Sequence, residues 1–172
     1  MQNDWRWIWL AGFIDGEGSI CFNHSYANNQ KIRLPSPSIQ ITNTNQATLE
    51  FIALFLATQG IKIKVHFYHK NPEKHKPVWH LSIRSLNNIK YVIEHTISFL
   101  QTKRPQAEIM LKFVVFRLAN YKKRLTGIEF SANLMNQMAN LNYRGAKLRK
   151  VISAKNPRQK YRFVLYIQLW RM

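Results

Sequence analysis

The segment Asp15-Gly16-Glu17-Gly18 carries the residues best placed to do chemistry. It closes an apolar stretch in which Trp5, Ile8, Trp9, Leu10, Phe13 and Ile14 recur at helical spacing, so both acids fall at a helix C-terminus. The helix dipole disfavours negative charge there. A carboxylate held at a buried helix end suggests a compensating cation; the plainer alternative is a glycine-capped helix with solvated acids. Glycine inside a helix costs about 1 kcal/mol against alanine. Ala11/Gly12 and, one turn on, Asp15/Gly16 nevertheless leave a shallow face where a second helix can come close.

The elements that must position these acids follow in order. The opening helix spans residues 4–16. Residues 19–27 alternate as a strand, with Ile20, Phe22 and Tyr26 on one face and Cys21, Asn23 and Ser25 on the other. A second strand near 36–43 turns Ile39 and Ile41 one way and Ser36, Ser38, Gln40 and Thr42 the other. Asn45 is placed to cap a helix over 46–58, with Gly60 as its stop. The plan then repeats. Ile61, Ile63, Val65 and Phe67 alternate with Lys62, Lys64, His66 and Tyr68; in Val78–Arg84, Trp79, Leu81 and Ile83 face inward and His80, Ser82 and Arg84 outward. Ser85 caps a helix through Leu100. The expected architecture is α+β, an αββαββα core whose helices cover one face of a four-stranded antiparallel, saddle-like sheet, with further helices after it. The uncovered face is polar, basic and free of acids.

Composition says what that face is for. Among 172 residues, 26 Lys and Arg oppose 8 Asp and Glu, a net charge of +18, which points to a polyanionic partner, nucleic acid before membrane. An ordinary solvated face would mix both signs. A membrane-surface protein would need an amphipathic lysine-rich helix, and none is convincing. The lone Cys21 excludes an internal disulfide and any cysteine-based zinc site. With no signal-peptide pattern and no apolar run of spanning length, a soluble intracellular protein is expected.

From Arg104 the chain reads as helical. Pro105 starts a helix to about Lys123, with Ile109, Leu111, Phe113, Val114 and Leu118 available for burial and Lys122-Lys123-Arg124 at its end. A second helix spans Ile128–Leu141. Residues 142–172 hold nine Lys and Arg and no acid. Within them 161–170 fits either a strand or a helix, and clamping of the DNA backbone is the preferred role. The expected division is a core over 1–125 and a basic helical extension of the same domain over 126–172.

The stretch WLAGFIDGEGS, at a helix end and followed by two strands, resembles the signature of the LAGLIDADG homing endonucleases, and the resemblance covers the core to about residue 120. One copy is present, as in the single-motif members that act as homodimers. The resemblance implies that motif helices of two subunits pack along a twofold axis, through Leu10, Ala11, Gly12, Ile14, Asp15 and Gly16. Two copies of Glu17 then meet at the DNA dyad, where a hard divalent cation relieves their repulsion. Mg²⁺, with Mn²⁺ able to substitute, is the implied cofactor, held by Glu17 and the Gly16 carbonyl for an in-line phosphodiester displacement. Asp15 reads as structural, bonding to helix termini. Asn43 matches an amide that orders the nucleophilic water, or else simply precedes a helix as a cap. Lys103 matches a lysine that stabilises charge at the phosphate. Ala47 stands where the resemblance leads one to look for a basic residue, a departure that weakens the peripheral catalytic set.

By the same resemblance the sheet lies in the major groove. The residues expected on DNA are Cys21, Asn23, Ser25, Ser36, Ser38, Gln40, Thr42, Lys62, Lys64, His66, Tyr68, His80, Ser82 and Arg84, with Gln40 suited to adenine and Arg84 to guanine. The expected activity is a site-specific double-strand break in a long pseudo-palindromic target by an intron-encoded enzyme, in an organelle (chloroplast or mitochondrion) or a prokaryotic cytoplasm. The alternatives are a maturase that binds its host intron RNA and an inert DNA-binding protein of the same fold.

Overall fold

A computed structural model describes residues 4–26, 33–68, 76–121 and 127–142. Helix α1 (Trp5–Glu17) starts at Asp4, whose carboxylate accepts the Arg6 backbone N–H at 3.1 Å and pairs with the Arg6 guanidinium at 2.6 Å. It passes without a loop into strand β1 (Gly18–Tyr26). The turn requires glycine: a Cβ on Gly18 would lie 2.8 Å from the Cα and carbonyl oxygen of Ile14. Strand β2 (Arg33–Asn43), helix α2 (Gln46–Thr58), strand β3 (Val65–Tyr68), strand β4 (Val78–Ile83) and helix α3 (Leu86–Thr96) complete the αββαββα order. Helices α4 (Arg104–Ala119) and α5 (Ile128–Leu141) follow.

The sheet is antiparallel throughout, in the order β1-β2-β4-β3. Its inner face sends Ile20, Ile39, Ile41, Leu81 and Ile83 into a core shared with Leu10 and Ile14 of α1, Leu49, Ile52 and Leu56 of α2, Ile89 and Val92 of α3, and Met110 and Phe113 of α4. Burying each such side chain contributes about 1.5–3 kcal/mol. Period-two alternation in the strands and the apolar stripes of α2 and α3 therefore set most of the layering.

Several boundaries differ from expectation, each for a local reason. Strand β2 begins at Arg33, through Pro35 and Pro37; β4 reaches along it only to Ile39, so the prolines stand where β2 has an open side. Residues 61–64 lie outside the ladder: β3 begins at Val65 opposite Leu81, although β4 itself runs on to Ile83. Phe67, which by its alternation with the basic residues reads as inward, is exposed and packs on Trp79 at the sheet edge. Helix α3 stops at Thr96, whose hydroxyl donates back to the Val92 carbonyl at 2.8 Å. Helix α4 ends at Ala119, short of the expected Lys123; Lys122-Lys123-Arg124 and the 161–170 segment lie outside the described residues. Helix α5 has the expected bounds and packs against α4 and β1, and one compact unit runs through Asn142; residues 143–172, most of the expected basic extension, lie outside the described residues.

Candidate active site and nucleic-acid interface

The two acids of α1 have opposite surroundings. Asp15 accepts the backbone N–H of Gln101 at 2.6 Å, of Lys103 at 2.8 Å and of Thr102 at 3.3 Å. Its own carbonyl accepts the Lys103 ammonium and, at 3.5 Å, the Thr102 hydroxyl. Lys103 is the N-cap of α4. The acid that lies at the unfavourable end of α1 thus lies at the favourable end of α4, where unsatisfied N–H groups attract a carboxylate. Partial burial opposes ionisation of Asp15, but these hydrogen bonds outweigh it and hold its carboxyl below the usual carboxylate range. Asp15 bonds a helix terminus within its own chain.

Glu17 is exposed at the last position of α1 and makes no hydrogen bond or ion pair among the described residues. Gly18 donates to the Ile14 carbonyl and Lys103 occupies the Asp15 carbonyl, so the next carbonyl, of Gly16, is the one left beside Glu17. A carboxylate and a carbonyl are hard oxygen donors of the kind Mg²⁺ takes. No group of three or more His, Cys, Asp and Glu able to hold a metal occurs among the described residues. The two donors fit a divalent cation as half a site, to be completed by phosphate, water or a second copy.

Asn43 stands at the same edge, since the β1–β2 ladder begins at Gly18 opposite Ile41. Its side-chain oxygen accepts the Asn45 backbone N–H at 2.8 Å, and Asn45 in turn caps α2 through Thr48 at 3.3 Å. The capping role is therefore occupied, and the Nδ2 group is what Asn43 keeps for a water. Ala47 is exposed on the first turn of α2.

The expected seam divides. Leu10, Ala11 and Ile14 are buried in the core of their own chain, which corrects their assignment to a dimer contact. Gly12 and Gly16 are exposed, with nothing within 4 Å of a Cβ built on either. The open face of α1 continues through Ile8, 45% exposed, to Trp5, 62% exposed, which stacks on Phe51 of α2 beside exposed Leu54. Phe51 and Leu54 were not singled out in the sequence; their spacing of three on the outer face of α2 was the available signal.

The outer face of the sheet forms polar rows. His66, His80 and Thr42 are neighbours across β3, β4 and β2, and Ser82, Gln40 and Ser19 across β4, β2 and β1. Thr42 bonds His80 Nδ1 at 3.1 Å, and Arg84 donates to Ser82 at 3.0 Å. Burial, then the charges of Arg84 and His66, push the His80 pKa down. Lys62, Lys64, His66, His80, Ser82 and Arg84 line one open concavity of about 420 Å³, joined by Ser85 and Asn88 from the N-terminus of α3. Asn88 went unnoticed in the sequence because it reads as helix surface. Cys21, Asn23 and Ser36 lie on the same outer face. Ser25 and Tyr68 fall on the strands, with side chains outside the described set. Ser38 has no exposed surface, which corrects its place among direct DNA contacts: Asn23, Gln40 and Cys21 cover it.

Fold, motif and site agree with one class. The family profile described as LAGLIDADG endonuclease matches residues 10–107, more than half of the chain, and the chain belongs to that family. Among solved structures it resembles the homing endonuclease I-CvuI in complex with its target (21% identity, 84% of this chain and 86% of that one, TM-score 0.64). It also resembles the archaeal intron-encoded homing endonuclease I-Vdi141I complexed with DNA (16% identity, 84% and 89% covered, TM-score 0.67) and I-TnaI (18% identity, 97% and 98% covered, TM-score 0.60). At these identities the likeness is one of fold. A comparison with curated protein sequences found no match.

Proposed function

We propose that the protein is a homodimeric, divalent-metal-dependent endonuclease that cuts both strands of a long pseudo-palindromic DNA site. The observation that carries this reading is Glu17, an exposed carboxylate without a partner among the described residues, where the open face of α1 meets the acid-free face of the sheet. Family membership supports it, as do the I-CvuI structures obtained with calcium and magnesium and the DNA complexes of I-Vdi141I and I-CeuI.

In this reading Ile8, Gly12 and Gly16 of α1, flanked by Trp5, Phe51 and Leu54, meet the same face of a second copy and bring the two Glu17 carboxylates together. A divalent cation there supplies neutralisation of the scissile phosphate and a more acidic water. Glu17 and the Gly16 carbonyl fix where that charge sits. Lys103, tied to the Asp15 carbonyl two residues from Glu17, holds an ammonium beside the phosphate and stabilises charge as the P–O bond breaks. Asn43 Nδ2 donates to the incoming water's oxygen. The basic concavity neutralises backbone phosphates, so affinity falls with salt. Intron encoding and an organellar or prokaryotic setting belong to the same proposal.

The test is a library of long duplexes incubated with Mg²⁺, wild type against Glu17→Gln. Metal-dependent cutting lost in the variant is expected. Cutting that survives Glu17→Gln removes the acid from the mechanism. Footprinting without cutting supports the inert DNA binder, and preference for structured intron RNA over duplex supports the maturase.

A further inference from the structure

Ser38 is fully buried on the face of the sheet that, in the reading above, lies against DNA. Its hydroxyl accepts the Asn23 amide Nδ2 at 2.9 Å and the Gln40 amide Nε2 at 3.0 Å, and lies 3.4 Å from Cys21 Sγ. A hydroxyl has two acceptor sites and one donor. The two amides fill the acceptor sites and the sulfur takes the proton, so the group is satisfied. Rotating either amide by half a turn would exchange an N–H donor for a carbonyl, which Ser38 could satisfy only by taking its proton away from the sulfur.

Each amide has two N–H donors and one carbonyl. With one N–H given to Ser38, one N–H and the carbonyl oxygen remain. That pair is the pattern adenine accepts in the major groove, through N7 and the N6 amino group. We infer that Ser38 is a positioning residue, which locks the Gln40 and Asn23 amides so that each presents an adenine-reading edge. It touches no base itself. The inference rests on the proposed DNA-cutting function and adds to it a residue that governs which bases are read. Holding an amide before DNA arrives also lowers the ordering cost of the contact.

The experiment is selection of bound duplexes from a randomised library by the full-length wild type, Ser38→Ala, Gln40→Ala and the double variant. Wild type is expected to select A·T pairs at two positions in each half-site. Ser38→Ala should relax that preference about tenfold at these positions alone, leaving the other positions and the salt dependence unchanged. In the Gln40→Ala background, Ser38→Ala should change nothing further at the Gln40 position. If Ser38→Ala fails to fold, Ser38→Cys, with only a weak acceptor, carries the same expectation. A selective wild type whose Ser38 variants keep full adenine preference overturns the positioning role, as does a uniform loss of affinity at every position. A wild type that selects no sequence overturns the site-specific reading together with this inference.

Discussion

The Asp15 carboxylate accepts the backbone N–H of Lys103 at 2.8 Å while the Asp15 carbonyl accepts the ammonium of the same residue. Residues 88 positions apart are thereby tied at both ends of the lysine. The contact couples the last turn of α1 to the first turn of α4, and it determines how far the lysine's charge stands from Glu17.

Asp15→Ala should cost about 1–2 kcal/mol at pH 7, as loss of a helix cap does. The folded carboxyl titrates below its usual value, about 3.9. Its stabilisation is therefore complete above that value and is lost as pH falls through the folded pKa. Thermal melts across acid pH should show the wild type losing this increment and Asp15→Asn lacking it at every pH. Equal acid sensitivity of the two proteins would remove the clamp from the stability account.

Gly12 and Leu10 separate assembly from folding. Gly12→Glu places a charge in open space, so a protomer should keep its melting behaviour to within about 0.5–1 kcal/mol, the cost of a surface helix substitution. The proposed dimer should dissociate, read by sedimentation. Leu10→Ala removes a core side chain and should cost about 2–5 kcal/mol whatever the oligomeric state. A Gly12→Glu protein that stays dimeric places the seam elsewhere.

Gly18→Ala puts a methyl 2.8 Å from the Ile14 backbone. The backbone cannot yield as a side-chain tip does, so about 1–3 kcal/mol of overpacking is expected. Because Glu17 is the adjoining residue, cleavage should fall more than DNA binding does. A variant with wild-type cleavage would mean that the turn between α1 and β1 can move without displacing the acid.

His80 titrates low because of burial and then its Arg84 and His66 neighbours, with Lys62 and Lys64 around the same concavity. For a base with a depressed pKa, the stabilisation is full above the unfolded value of about 6.5 and is lost as pH falls through the folded one. Bound phosphate favours the protonated ring, so DNA binding should take up protons and tighten as pH falls from 7 to 6. Isothermal titration in buffers of different ionisation enthalpy measures that uptake. Uptake undiminished in His80→Gln would remove His80 from the linkage.

Much of the fold was open to reading because the strands alternate cleanly: Ile39 and Ile41 point inward, Gln40 and Thr42 outward, and the register follows. The bounds of α5 were legible for the same kind of reason. Helix α1 was harder. It is apolar around most of its circumference, with Ile8 outside and Leu10 inside, so periodicity alone could not choose the core face. The sequence locates Glu17 at the motif's end, but the partner of Asp15 arrives from 101–103, a distance no local pattern reports. Ser38 alternates correctly onto the polar face; its burial comes from two amides folding over it, which depends on side-chain conformation rather than spacing.

Pro35 and Pro37 have a consequence beyond the shape of β2. The two prolines lie opposite Phe22 and His24 of β1, on the stretch of β2 beyond Ile39 that β4 does not pair with. A flat strand with a free row of donors invites another chain to add to it. Neither proline can supply a donor to such a row. On a strongly basic sheet, two prolines in the unpaired stretch of β2 work against strand-to-strand self-association.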